Sequence, residues 1–141
     1  MTIGTRLVPL DAGTLVATGP LRPADVAAAA ALGVNMIVNN RPDGEEPGQA
    51  SGAEIEAAAR AAAIGYRHIP VAGGFSAAQV EAMARALDEA QGKLLACCRS
   101  GTRSTFLWAL ARARRGADPA RLIGQAADAG YDLSPLLPHL R

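Results

Sequence analysis

The stretch that decides the fold is Lys93–Arg115, KLLACCRSGTRSTFLWALARARR, in which an apolar run stops at two cysteines and a helical apolar pattern restarts after a short polar segment. Its first part, Lys93–Cys97, predicts a short buried strand, and Ser104–Arg115 has the periodicity of an amphipathic helix. We expect the inner side of this helix to carry Phe106, Leu107, Leu110 and Ala113. The stretch is therefore predicted to be a strand, a turn and a helix in immediate succession.

The turn between these elements, Cys98–Arg103, combines a cysteine, a glycine and two arginines. A strand-to-helix turn directs backbone N–H groups and the positive end of the helix dipole into one small bowl, which suits an anion or a thiolate. Cysteine is a nucleophile only as the thiolate, and Arg99 and Arg103 favour that form electrostatically. The turn is therefore predicted to hold a reactive Cys98. We call Cys98–Ser104 the Cys loop.

The two cysteines, Cys97 and Cys98, are adjacent. Neighbours in a strand point to opposite sides, so the pair makes a poor structural disulfide and at least one thiol is free. Cys97 continues an apolar run and is typical of a small core residue. Cys98 is followed by two arginines and a glycine, which a core cysteine does not require, so we interpret Cys98 as the reactive one.

Length and composition favour one domain covering residues 1–141, because half of the 141 residues are hydrophobic and a chain of this size can bury a real core. The net charge is +1 with acids and bases interspersed, which predicts neither a nucleic-acid surface nor a membrane anchor. The N-terminus lacks a signal pattern and no apolar stretch is long enough to span a bilayer. We expect a cytoplasmic protein.

Along the chain, helical and strand patterns alternate. They predict a hairpin of Arg6–Leu10 and Thr14–Thr18 at a sheet edge, a helix over Ala24–Leu32, a strand over Val34–Asn39 and a helix over Ala53–Ile64. The second half is predicted to contain an inner strand over Tyr66–Val71 interrupted at Pro70, a helix over Ala77–Gln91, the strand and helix described above, a helix from Asp118 and Pro119 to Ala129, and a closing turn over Leu133–Leu140. This order predicts an α/β fold with a mostly parallel central sheet flanked by helices.

Ligands in such folds bind beyond the carboxyl ends of the strands. That rule brings together the Cys loop, the Ala72 turn (Ala72–Gly74) and the Asn40 loop (Asn40–Ser51, NRPDGEEPGQAS). A dozen irregular residues inside a compact domain often serve function, although a solvated surface loop has the same composition. The members of interest are Arg41, Asp43 and Glu45.

Several other chemistries are disfavoured by the residues present. A zinc site is not expected, since the chain offers two adjacent cysteines and only His68 and His139. A Cys-His dyad would require one of these histidines to reach the Cys loop, which nothing in the sequence indicates. A glycine-rich nucleotide loop with its lysine is also missing. The sequence therefore predicts no metal and no cofactor.

The Cys loop, CRSGTRS, resembles the active-site loop of rhodanese-type sulfurtransferases, Cys-x-x-Gly-x-Arg, and more distantly the phosphate loop of protein tyrosine phosphatases. The wider pattern is similar to the phosphatase-like domain family of beta-lactamase-hydrolase-like proteins, and it consists of Val38–Glu45, Tyr66–Val71, the Cys loop with Leu107–Ala109, and Ala129–Asp132. This resemblance implies a protein tyrosine phosphatase-like fold with the Cys loop between the last strand and a helix. It also implies a functional link to persulfide dioxygenases, because such bacterial domains are also found fused to these enzymes. Many members of the family are labelled sulfurtransferases.

Two chemistries compete, and loop spacing is the first discriminator. Tyrosine phosphatases place five residues between nucleophile and arginine, whereas four separate Cys98 from Arg103, as in rhodaneses. Counting from Cys97 restores the phosphatase spacing, but Gly101 then falls one place late. A tighter ring of N–H groups suits a persulfide sulfur better than a full phosphate. We therefore favour Cys98 as the nucleophile and sulfur transfer as the reaction.

The second discriminator is the general acid. Dual-specificity phosphatases typically carry an aspartate shortly after the strand corresponding to His68–Val71, where this chain has Ala72-Gly73-Gly74-Phe75. A phosphate ester needs its leaving oxygen protonated, and a well-placed acid supplies a factor of about 10² to 10⁴. Sulfur transfer has no such need, because sulfite or a thiolate leaves as an anion.

The main hypothesis from the sequence is a sulfurtransferase that moves sulfur from thiosulfate or a persulfide to a thiol acceptor through a Cys98 persulfide. The alternative is a cysteine phosphatase acting on a phosphate ester through a phosphocysteine, with Asp43 or Glu45 as the acid. A third is a non-enzymatic anion-binding or redox-sensing module. The predicted catalytic residues are Cys98, Arg103 and Asp43, and the predicted anion-binding residues are Arg41, Arg99, Ser100, Gly101, Thr102, Arg103 and Ser104.

Overall fold

The computed structural model of the protein describes residues 5–140 and contains a five-stranded sheet with strand order β1-β2-β5-β3-β4. The strands are β1 (Leu7–Asp11), β2 (Thr14–Ala17), β3 (Val34–Asn39), β4 (Gly65–His68) and β5 (Lys93–Cys97). β1 and β2 form an antiparallel hairpin at one edge, and the remaining neighbours pair in parallel. The predicted α/β fold with a mostly parallel central sheet is confirmed; of the predicted domain, residues 1–4 and 141 lie outside the described residues.

Three helices connect the strands from β2 onward, and the remaining helical segments follow β5. The helical elements are α1 (Pro23–Ala31), α2 (Gly52–Ala61), α3 (Ala77–Glu89), α4 (Thr102–Arg114), α5 (Pro119–Asp128) and a closing 3₁₀ segment (Ser134–His139). α2 and α3 begin with capping boxes, in which Ser51 and Ser76 accept the N–H groups of Glu54 and Gln79. Within residues 5–140, none of these helices combines the length and apolarity needed to cross a bilayer.

The sheet separates two apolar clusters, one under α1 and α2 and one under α3, α4 and α5. Because successive side chains of a strand point to opposite faces, the central strand β5 contributes to both. Leu94 and Ala96 enter the α3–α5 cluster, and Leu95 and Cys97 enter the α1–α2 cluster. Cys97 therefore faces one layer of helices, and the chain leaves the sheet at Cys98.

The strand predicted over Tyr66–Val71 is present but shorter, and its predicted inner position is wrong. β4 ends at His68 and lies at the edge of the sheet, where it pairs with β3 alone. Pro70 has no N–H with which to continue a ladder. The chain beyond β4 nevertheless follows β3, because Ile69 N–H and Val71 N–H donate to the carbonyls of Asn39 and Asn40, each at 2.9 Å.

The predicted inner side of α4 is also only partly right. Leu107 is fully buried, but Phe106, Leu110 and Ala113 are partly buried, and Trp108 lies on the inner side instead. The indole N–H of Trp108 donates to Asp11 at 2.9 Å, and this contact turns the tryptophan toward the hairpin. The helix also begins two residues earlier than predicted, at Thr102 rather than Ser104.

Truncation of a central core residue is expected to be costly. Leu95→Ala should lower the free energy of unfolding by about 2–5 kcal/mol, because Leu95 is fully buried in β5. The same truncation at Leu32, which is 51% exposed, should change it by less than about 0.5 kcal/mol. Urea unfolding followed by the fluorescence of the single tryptophan, Trp108, measures both variants. Equal losses would contradict this description of the core.

Candidate active site

The Cys loop leaves β5 at its carboxyl end and enters α4 almost at once. Gly101 has a left-handed conformation, φ 91°, and is the N-cap of α4. Its N–H donates to the sulfur of Cys98 at 3.1 Å. The first backbone bond of the helix runs from Thr105 N–H to Gly101 carbonyl at 2.9 Å, so the N–H groups of residues 102–104 precede the helical ladder. The N-terminus of α4, with its partial positive charge, therefore lies against Cys98.

Only glycine fits at position 101. A Cβ atom there would lie 2.1 Å from the hydroxyl oxygen of Tyr131 and 2.7 Å from the carbonyl oxygen of Ala17. Tyr131 donates its hydroxyl to the Ser100 carbonyl at 2.8 Å, and burial, followed by the charge of Cys98, raises the pKa of Tyr131. The segment after α5 thus packs behind the Cys loop and supports it with a protonated phenol.

Arg103 connects the three loops that the strand ends bring together. Its guanidinium donates to both carboxylate oxygens of Glu45, at 2.6 and 3.0 Å, and to the carbonyl of Val71 at 2.7 Å. The hydrogen bonds with Glu45 raise the pKa of Arg103, and the nearby charge of Cys98 adds to that effect. Arg103 is therefore a fixed cation beside the cysteine sulfur.

Glu45 is shared between two arginines. Arg41 is buried, and its Nε lies 3.0 Å from Glu45 Oε1, while its terminal nitrogen contacts the carboxylate of Glu46. Arg99 is exposed and lies 3.4 Å from the same Glu46 carboxylate. The hydrogen bond from Arg103, and then that from Arg41, holds the pKa of Glu45 below its usual range. Glu45 is consequently ionised at neutral pH.

Asp43 lies on the far side of its loop. Its carboxylate accepts the N–H of Gly52 at 2.7 Å, at the first turn of α2. Tyr66 and His68 line the same spot, and the ring nitrogen of His68 contacts the Arg41 carbonyl at 2.9 Å. Of the predicted residues, the structure therefore groups Arg41, Arg99 and Arg103 with Glu45 and Glu46 at the Cys loop, and it places Asp43 against α2.

A buried polar contact that the sequence did not predict supports the base of the Cys loop. Ser104 is fully buried, and its hydroxyl donates to the side-chain oxygen of Asn40 at 2.8 Å. The Asn40 amide in turn donates to the Ile69 carbonyl at 2.9 Å, and its backbone N–H donates to the Cys97 carbonyl at 2.7 Å. An asparagine at the end of an apolar strand was the available signal for this role.

The two cysteines occupy different surroundings. Burial raises the pKa of Cys97 to about 12, and its sulfur lies 3.8 Å from the side-chain oxygen of Asn39. It remains a protonated thiol in the α1–α2 layer. Cys98 instead receives the Gly101 N–H and lies beside Arg103.

The five-stranded sheet with the Cys loop between β5 and α4 is a protein tyrosine phosphatase-like fold, which is shown by its likeness to solved structures. A Neisseria meningitidis protein, provisionally described as a phosphatase, has this fold with a TM-score of 0.81 and 32% identity over 94% of each chain. Pseudomonas aeruginosa TpbA shares the fold with a TM-score of 0.67 at 19% identity, covering 97% of this chain and 84% of its own.

The sequence also matches a protein family. The phosphatase-like domain of beta-lactamase hydrolase-like proteins matches residues 12–115, and the chain belongs to this family. The beta-lactamase hydrolase-like protein of Xylella fastidiosa strain Temecula1 is 37% identical over 113 residues, which are 77% of this chain. The match spans only 26% of that relative's length. The resemblance inferred from the sequence is therefore confirmed.

The close approach behind Gly101 predicts a measurable difference between two glycines. Gly116 has the same φ of 91° but open space around it. Gly116→Ala should cost about 1–2 kcal/mol of unfolding free energy, because an alanine must adopt the left-handed conformation. Gly101→Ala should cost about 1–3 kcal/mol more, because the methyl group also overlaps Tyr131 and Ala17. Urea midpoints compare the two, and equal costs would mean that the Cys loop tolerates a side chain there.

The cysteines should also differ in reactivity. Iodoacetate at about pH 8 is expected to alkylate Cys98 and spare Cys97, because a thiol with a strongly raised pKa stays protonated. Trypsin places both cysteines in one peptide, so fragmentation mass spectrometry assigns the adduct. Cys98→Ser is the control and should remain unlabelled. Equal labelling of Cys97 in the native protein would contradict the assignment.

Proposed function

We propose that the protein is a cysteine-dependent phosphatase that hydrolyses phosphate monoesters through a Cys98 phosphocysteine. The observation that carries this proposal is the cysteine sulfur at the N-terminus of α4, beside the guanidinium of Arg103. Membership of a phosphatase-like family supports it, as does the likeness to the Neisseria protein. These findings favour phosphate hydrolysis over sulfur transfer, whereas the loop spacing in the sequence favoured sulfur transfer.

The proposed reaction has two displacements. The Cys98 thiolate attacks phosphorus in line, so that a P–S bond forms while the bond to the ester oxygen breaks. The N–H groups of the Cys loop and the Arg103 guanidinium bind the phosphoryl oxygens as charge builds on them. Water then attacks phosphorus, the P–S bond breaks, and phosphate and the thiolate are released.

Glu45 is proposed to position Arg103 rather than to act as the acid. Its carboxylate is ionised and engaged by two arginines, so it has no proton to donate at neutral pH. Asp43 could donate only after leaving the Gly52 N–H. Since the Ala72 turn also lacks a carboxyl group, the enzyme is expected to prefer aryl esters, whose phenolate leaves with less need of a proton.

Sulfur transfer stays as the second candidate because four residues, rather than five, separate Cys98 from Arg103. Its proposed partners are an anionic sulfur donor and a thiol acceptor. In that reaction the Cys98 thiolate takes the outer sulfur of thiosulfate, sulfite leaves, and a thiol or cyanide accepts the sulfur.

One set of assays separates these functions. The purified protein should release phosphate from 4-nitrophenyl phosphate, and Cys98→Ser should abolish release because the nucleophile is gone. Arg103→Lys should lower kcat/KM by roughly 10² to 10³, since lysine cannot reproduce the bidentate geometry. Arg121→Lys, an exposed position on α5, is the matched control and should retain activity.

The contrary outcomes are specific. Thiocyanate formed from thiosulfate and cyanide, without phosphate release from aryl esters, would replace the phosphatase by the sulfurtransferase. Loss of phosphate release in Cys97→Ser, together with its retention in Cys98→Ser, would show that the nucleophile is Cys97. Turnover of both substrates without Cys98 would exclude both mechanisms.

A further inference from the structure

One face of α4 leads away from the proposed phosphate bowl. Arg103, Phe106, Leu110 and Ala113 recur at helical spacing, so they form a stripe along that face. The last three line a groove of about 740 Å³ between α3, α4 and the 3₁₀ segment, a volume typical of small-molecule sites. We call it the α3–α4 groove; its other apolar walls include Phe75, Val80 and Leu136.

An aromatic pair lines the part of the groove that follows Arg103 along α4. The rings of Phe75 and Phe106 pack with their centroids 6.3 Å apart. Phe106 lies one helical turn after Arg103, and Phe75 lies four residues after Val71, whose carbonyl binds Arg103 at 2.7 Å. The helix that carries Arg103 and the segment that follows Val71 therefore both continue into the walls of the groove.

The dimensions and chemistry of the groove define what fits. An α-helix rises about 1.5 Å per residue, so the stripe from Arg103 to Ala113 is roughly 15 Å long. Beyond the bowl the walls are apolar apart from Arg114 and His139, and Arg114 is already paired with Glu81 at 3.2 Å. A ligand that matches both parts has a phosphate at one end and an elongated apolar body.

We infer that the substrate is a small phosphate monoester whose esterified group is an elongated apolar chain or ring that lies in the α3–α4 groove. This inference rests on the proposed phosphatase function and adds the class of alcohol or phenol that is released. A phosphopeptide fits less well, because its backbone amides need hydrogen-bond partners that side chains such as Phe106 and Leu110 do not offer.

The test compares phenyl phosphate with 4-hexylphenyl phosphate, used below its micelle concentration. The two esters have similar leaving groups and differ in the apolar tail. A fully buried methylene tightens binding about four-fold, so partial burial of the hexyl chain should give about ten-fold tighter binding or more. Calorimetry with Cys98→Ser, which cannot turn the ester over by the proposed route, measures this ratio of affinities, and kcat/KM of the native protein gives the corresponding kinetic ratio.

Ala77→Trp, made in both backgrounds, tests where the tail lies. Ala77 is exposed and lines the groove, so the indole should fill it and reduce the hexyl-to-phenyl ratio to near one. Ala57→Trp, at an exposed position of α2 on the other face of the sheet, is the matched control and should leave the ratio unchanged.

Failure of this inference is distinguishable from failure of the phosphatase proposal. Cys98-dependent hydrolysis of both esters with no preference for the hexyl ester in rate or binding would overturn the groove and keep the phosphatase. A binding preference lost in Ala77→Trp, without hydrolysis, would keep the groove and overturn the phosphatase. If a phosphotyrosyl peptide binds more tightly than the hexyl ester and is equally sensitive to Ala77→Trp, the substrate class is a peptide and not a small ester. Absence of binding by either ester would overturn the inference.

Discussion

The arrangement of the site depends on the paired hydrogen bonds between Arg103 and Glu45. One guanidinium reaches the Asn40 loop through Glu45 and the chain after β4 through the Val71 carbonyl, while its own helix carries the Cys loop. The sheet makes this possible, because β3, β5 and β4 are parallel and their carboxyl ends lie at one edge. An isolated surface pair of this kind contributes little, whereas here it fixes the orientation of a cation beside the cysteine.

Gly101 supplies the complementary constraint on the backbone. Its left-handed conformation lets the chain turn from β5 into α4 within four residues, and its missing side chain admits Tyr131 and the end of β2. The loop is therefore enclosed from behind by the segment after α5 and by the hairpin. Elements from both ends of the chain thus support a bowl that is itself encoded by a few consecutive residues.

The sequence was sufficient for the fold class and for the grouping of the three loops, because both follow from alternating elements and parallel strand ends. Periodicity alone did not show that β4 is an edge strand, although Pro70 within the predicted run was a signal for an edge position. Periodicity also could not show that Trp108 rather than Phe106 faces inward, because the indole of Trp108 is held by a hydrogen bond to Asp11, 97 positions away. Glu45 was a candidate acid until its contact with Arg103, 58 positions away, made it a partner of arginines.

The acids around the Cys loop have a consequence for turnover. Arg41, Arg99 and Arg103 are offset by Glu45 and Glu46, so the mouth carries a modest excess of positive charge rather than the field of three free guanidiniums. For the proposed phosphatase, inorganic phosphate is formed in the same bowl that bound the ester. Glu45 and Glu46 compete with any bound phosphate group for these arginines, so the same ion pairs lower the affinity of the bowl for the ester and for the released phosphate alike.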